Sequence, residues 1–280
     1  MTDDRNLKTI PPFLYGAAWK ELGTQKLVVQ ALTAGFLGID TANQRKHYFE
    51  EGVGLGIQEF LQNSKKSRTD LFLQTKFTFA NGQDHRKPYN EFDSFANQVQ
   101  SSCKSSLQHL QTDYIDSYIL HGPFFATDIA EADLEVWQAM ERLYQKGKVK
   151  FLGVSNVDLK QLEELYKLAN IKPSFVQNRC FANTSWDQQI RNFCNKHSII
   201  YQGFSLLTAN QRELLNPLMP ILSKKYHATI PQIIFRFAIQ IGILPLTGTT
   251  SQEHMHNDLN LDNFELSGTE LSQIEKISTY

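Results

Sequence analysis

Short runs of apolar and β-branched residues alternate along the chain with longer stretches whose apolar positions recur every three or four residues. The short runs read as strands at 13–18, 36–40, 71–76, 115–121, 151–155, 175–177, 199–204 and 243–246. Between them the clearest helical spacing is that of Phe92, Phe95, Val99, Cys103, Leu107 and Leu110, at steps of three and four. Leu159, Leu162 and Leu165 form a second such stripe behind Asp158, a good N-cap residue. Thr229 with Gln232, Thr250 with Glu253 and Ser267 with Glu270 are capping-box pairs, and predict three helix starts late in the chain.

Eight strands alternating with helices predict an α/β fold: a (β/α)8 TIM barrel, with one domain covering residues 1–280. The rival is a doubly wound open sheet, for which the glycine-rich stretch GVGLG at 52–56 is the only encouragement. A dinucleotide loop must lie directly between a strand and its helix, and these glycines come too late. They are expected inside a helix, where they permit close packing at a cost of roughly 1 kcal/mol each.

In such barrels the chemistry sits at the C-terminal ends of the strands. Strand two ends in Asp40, strand three in Lys76 and strand four in His121, while strands five and six end in Ser155-Asn156 and Gln177-Asn178. Any one of the three ionisable groups alone reads as an ordinary salt bridge. Together, with Tyr48 following strand two, they make a proton-transfer group. A free phenol has a pKa near ~10; a buried ammonium beside it is expected to lower that value, and Asp40 to keep the ammonium charged. His121 can bond the same oxygen or orient a carbonyl.

Composition narrows the field. With 28 Lys and Arg against 29 Asp and Glu the formal charge is −1, which argues against a nucleic-acid or membrane partner. Arg45-Lys46-His47 is too short a basic run to change this. His254 and His256 lie two apart on an expected helix and diverge, so no metal site is expected. Cys103, Cys180 and Cys194 show no disulfide spacing, MTDDRNLKTI has no apolar export signal, and no run approaches the ~20 residues of a membrane span. A cytoplasmic protein is expected.

Seven motifs, from about Pro11 to Lys276, now carry a resemblance: YGAAWK, GFLGIDTA, LFLQTKF, DYIDSYILHGP, GKVKFLGVSN, FVQN and YQGFSLL. In this order and spacing the chain resembles the aldo-keto reductases, in particular those with a short C-terminal loop. The resemblance implies an eight-stranded barrel that binds NADP(H) without a Rossmann domain and reduces aldehydes or ketones as a monomer. It implies a catalytic tetrad of Asp40, Tyr48, Lys76 and His121, with Tyr48 as proton donor. The family tyrosine usually follows the aspartate by five residues, and here the gap is eight, which a bulged loop can absorb.

The resemblance also implies that Ser155, Asn156 and Gln177 hold the nicotinamide carboxamide, although Asn156 could equally cap the following helix. Phe204 takes the place of the aromatic that stacks on the nicotinamide, and Ser205, Leu207, Thr247, Thr249, His254 and Asp258 follow along the cofactor. The family's phosphate-reading lysine is replaced by Leu246, and His254 stands near the arginine position. Thr247, Thr249, Thr250 and the next helix N-terminus could cradle an anion instead, so NAD(H) use is the alternative to NADP(H). Trp19 and Phe124, beside Pro123 and Phe125, are the expected pocket walls, and the chain's end at Tyr280 suggests an open mouth. Two rival functions stand beside carbonyl reduction. One is a cofactor-binding regulatory or scaffold protein with little turnover; the other is an isomerase or lyase using Lys76 as a Schiff-base amine.

Overall fold

The computed structural model describes residues 10–279. The N-terminal stretch read for export signals lies almost wholly outside the described residues, as does Tyr280. Eight strands, β1 Leu14–Gly16, β2 Gly38–Asp40, β3 Phe72–Phe77, β4 Ile115–Leu120, β5 Val149–Ser155, β6 Phe175–Arg179, β7 Ile200–Phe204 and β8 Ile243–Thr247, close in chain order into a parallel barrel. Each of the eight expected strands is present, with ends shifted by a few residues. The first is the most shortened, because the chain turns away after Gly16 and Trp19 takes a left-handed φ of 62°.

Around the barrel run α1 Thr24–Ala34, α2 Glu50–Gln62, α3 Phe95–His109, α4 Glu131–Gln145, α5 Leu159–Leu168, α6 Gln188–Lys196, α7 Leu218–Tyr226 and α8 Ile230–Gln240, with α9 Gln252–Leu259 and α10 Gly268–Glu275 after β8. Asp158, Thr229 and Ser267 cap α5, α8 and α10 as expected. Two boundaries differ. α3 starts at Phe95 behind Ser94, leaving Phe92 89% exposed and outside the helix. α9 is capped by Ser251 rather than Thr250; both residue types qualify, and the geometry selects the one whose hydroxyl meets the His254 N–H.

The glycines of the GVGLG stretch lie inside α2. A Cβ on Gly54 would sit 2.0 Å from the His109 carbonyl, and one on Gly56 2.8 Å from that of Gln25. The missing side chains therefore let α2 lie against both α1 and the end of α3. Among the described residues no helix is long and apolar enough to cross a membrane.

Side-chain alternation sorts the strands into an outer face packed on the helices and an inner face that fills the barrel. Leu14, Phe72, Ile119, Phe151, Phe175, Leu244 and Leu246 form the inner apolar cluster. Gln74 and Lys76 share the face of Phe72, and Gln177 that of Phe175, so the same parity that buries the phenylalanines delivers polar groups toward the mouth.

Candidate active site

Asp40, the last residue of β2, is buried and meets Lys76 from β3, whose Nζ donates to both carboxylate oxygens at 2.7 Å. The third bond of the ammonium goes to the Thr41 carbonyl at 2.8 Å. Burial pulls the Lys76 pKa below its usual range, and Asp40 opposes that pull. Glu50, buried at the start of α2, adds a second negative charge nearby.

Tyr48 lies directly over this pair. Its ring centroid is 5.2 Å from Lys76 Nζ and 6.0 Å from the His121 ring, edge-on at 67°. The eight-residue spacing is absorbed by one turn, in which the amides of His47 and Tyr48 both donate to the Gln44 carbonyl at 3.1 and 3.0 Å. The loop is held on several sides. Gln44 Nε2 donates to Gly82 O at 2.6 Å, Asn43 Nδ2 to Ser102 O at 3.0 Å, and the Trp19 amide to the His47 carbonyl at 2.7 Å.

The electrostatics of Tyr48 reverse one expectation. Burial first, and then the charge of Asp40, push its pKa above the ordinary phenol value. The ammonium fails to lower it because Asp40 already neutralises Lys76 at 2.7 Å. The phenol is therefore held protonated at neutral pH. His121 is held neutral: burial, and then Lys76, drive its pKa well below the usual imidazole value. Its Nδ1 lies 2.7 Å from Thr78 Oγ1, a partner that fixes the ring.

These groups border a cavity of about 1130 Å³ that runs from the barrel mouth along the end of β8. Lys76 is fully buried beneath it and does not line it, which removes the Schiff-base reading. Ser155, Asn156, Gln177, Phe204, Ser205 and Leu207 form one wall, and Thr247, Thr249, His254 and Asp258 the far end. Asn156, in left-handed conformation at φ 56°, donates to the His121 carbonyl at 2.7 Å; it caps no helix, since Asp158 does that. Asp258 accepts from Thr247 Oγ1 at 2.8 Å, and burial raises its carboxyl to about 6.

A profile of the aldo/keto reductase family matches residues 19–279. The chain belongs to that family. It is 30% identical over 251 residues to the glyoxal reductase of Bacillus subtilis, covering 90% of this chain and 82% of that one. A similar match, 30% identical over 253 residues, joins it to the NAD/NADP-dependent indole-3-acetaldehyde reductase of Schizosaccharomyces pombe, covering 88% and 81%. Among solved structures, the Bombyx mori aldo-keto reductase in complex with NADP superposes with a TM-score of 0.80 at 26% identity, covering 96% of this chain and 89% of that one. An aldo-keto reductase is an oxidoreductase, and the barrel described above is the family's fold.

Within this aldo-keto reductase the substrate side departs from expectation. Trp19 does line the cavity, 72% exposed, with its ring centroid 4.0 Å from that of His47. Phe124 does not line it. The ring turns away to pack edge-on against Phe79 at 5.1 Å and Phe95 at 5.8 Å, in an aromatic cluster beneath the loop, while Phe125 lies on the surface. Phe79 itself takes a place on the cavity wall.

The sequence reading also missed Lys20, inside its own YGAAWK motif. From the β1 loop this lysine reaches across to β8, where Nζ donates to Gly248 O at 2.6 Å. Burial lowers its pKa to about 8. The β8 end, which has no Lys or Arg of its own, thus receives a cation from the opposite end of the chain.

Proposed function

We propose that this aldo-keto reductase reduces aldehydes or ketones to alcohols, with Tyr48 as proton donor and Asp40, Lys76 and His121 as its supporting groups. The observation that carries the reading is the buried Lys76–Asp40 pair directly beneath a protonated phenol, with a neutral imidazole beside it. The cavity's donor set suits a nicotinamide dinucleotide. Gln177 has an Oε1 that accepts no hydrogen bond among the described residues, Asn156 and Ser155 stand beside it, and Phe204 offers a ring for offset stacking. Bound there, a reduced nicotinamide supplies hydride.

The residues act on the carbonyl oxygen. With Thr78 donating to Nδ1, His121 presents Nε2–H to that oxygen and orients it. Tyr48 then gives up its proton as negative charge grows there. An alkoxide is more basic than a phenolate, so a phenol with a raised pKa still transfers in the forward direction. Lys76, whose three N–H bonds go to Asp40 and Thr41, is a fixed floor beneath the ring and holds the phenol in place as it gives up its proton.

For cofactor choice we propose loose discrimination, with NADP(H) favoured by less than a hundredfold. Lys20 reaches the β8 end through its bond to Gly248 O, and Thr247, Thr249 and Thr250 supply neutral donors. A phosphate site without an arginine lacks the bidentate bond that gives strong selectivity. A near-zero net charge suits a cytoplasmic monomer acting on small molecules. The test is spectrophotometric: an activated aromatic aldehyde should consume NADPH and NADH with wild type, and neither with Tyr48→Phe. Equal consumption by the two proteins would remove Tyr48 from the chemistry.

A further inference from the structure

Beneath the tetrad lies a group of buried amides that the proton-transfer scheme does not use. Gln74 of β3, Gln177 of β6 and Gln202 of β7 point into the barrel, and all three are buried. Gln74 Nε2 donates to Asp40 Oδ1 at 2.7 Å and to Gln202 Oε1 at 2.8 Å. Gln177 Nε2 makes the same pair of bonds, to Asp40 Oδ1 at 3.0 Å and Gln202 Oε1 at 2.9 Å. Gln202 Nε2 returns a bond to Gln74 Oε1 at 2.9 Å.

Chemistry permits this network in one orientation only. An ionised carboxylate accepts and never donates, so Gln74 and Gln177 must both turn their NH2 groups toward Asp40. Their second hydrogens converge on a single atom of Gln202, which must then be its oxygen. Both hydrogens of Gln177 are thereby used inside the barrel. What remains to face the cavity is Oε1, an acceptor.

From this geometry we infer that Gln202 is a positioning residue. It locks the amide of Gln177 so that Gln177 offers the nicotinamide carboxamide an acceptor, and it links the carboxamide NH2 through Gln177 to Asp40. The inference rests on reading the cavity as a nicotinamide site. It assigns a role to a strand-seven side chain that touches neither substrate nor cofactor. Flipping the Gln177 amide would set two acceptors, its own oxygen and the carboxylate, against each other. Gln202 makes that flip unfavourable from the opposite side.

The test uses equilibrium binding, so it does not depend on turnover. Dissociation constants are measured for NADPH and for its 3-acetylpyridine analogue, in which a methyl group replaces the carboxamide NH2. Wild type should bind the analogue about tenfold more weakly. Gln202→Leu, which leaves the Asp40 bond alone to orient the Gln177 amide, should lose about tenfold for NADPH and less than twofold for the analogue. Gln202→Glu, which at this fully buried position is protonated and so keeps both an oxygen for the two donors and an O–H for Gln74 Oε1, should hold NADPH within threefold of wild type. Calorimetric melting identifies any variant that does not fold. Should Gln202→Leu not fold, Gln202→Met, closer in length and without the amide oxygen, serves in its place with the same expected losses.

Equal losses for the two dinucleotides in Gln202→Leu, or no loss for either, would overturn the inference while leaving carbonyl reduction intact. A wild-type protein that bound neither dinucleotide would overturn the reading of the cavity and the inference together.

Discussion

The two ends of the cavity are built on different plans. At the barrel mouth, Asp40 is held by Lys76, Gln74 and Gln177, and Lys76 by three oxygens, so each of the two charged groups has several fixed partners. At the β8 end, one lysine bonded to a backbone carbonyl and one carboxyl bonded to a threonine supply the buried charge. The mouth is over-determined and the far end is sparse. On the function proposed above, the proton path is therefore held by more bonds than the far end of the cofactor cavity.

The comparison breaks most visibly at Tyr48. Tyr48→Phe removes the proton donor and keeps the ring over Lys76, so kcat should fall by about 10³-fold with cofactor affinity unchanged. Cofactor titration of the same variant checks the second half. Equal loss of affinity would mean that the two ends are not separable.

Lys76→Met should come next, leaving Asp40 as a buried charge without its counter-ion. Breaking such a pair costs about 3–5 kcal/mol, measurable by denaturant unfolding, and activity should be lost with it. A variant as stable as wild type would show that the mouth is less tightly determined than its hydrogen bonds indicate.

Lys20→Met probes the sparse end. It should weaken NADPH binding about tenfold, or roughly 1.4 kcal/mol, with little change in kcat. The sign of the pH effect follows from the lysine value of about 8: the ammonium is charged below that pH and loses its proton above it. NADPH affinity of the wild type should therefore decline as pH rises past 8, and the variant should not show that decline.

The smallest effect concerns Asp258. Burial raises its folded pKa from 3.8 to about 6, so the folded protein favours the protonated carboxyl. The stability this provides is present at low pH and is lost as pH rises through 6. Asp258→Asn should gain about 1 kcal/mol at pH 7 and flatten the Tm profile between pH 4 and 7. A loss of stability instead would mean that the Thr247 bond outweighs burial.

Strand positions and most of the site were legible because both follow from one rule. An apolar run that ends in a polar residue marks a strand and its C-terminal end together, as 36–40 does with Asp40 and 115–121 with His121. Loops have no such parity. Phe124 and Phe79 are equivalent as letters, and only the packed loop shows which faces the cavity. Lys20 was hidden because its partner lies 228 positions away. Gln74 and Gln202 read as polar interruptions of apolar runs, and their meaning appears only when closure brings β3, β6 and β7 around Asp40. The Tyr48 pKa was misjudged because a sequence shows that a lysine is near, not that its charge is already matched.

The intimacy of α2 with its neighbours has an evolutionary corollary. The chain enters that helix two residues after Tyr48, so a shift of the helix start is passed to the phenol. A single methyl group at Gly54 would collide with the His109 backbone and lever the helix outward. Damage far from any reactant would then surface as lost turnover, and inherited variation at this glycine should be purged as strictly as at the tyrosine.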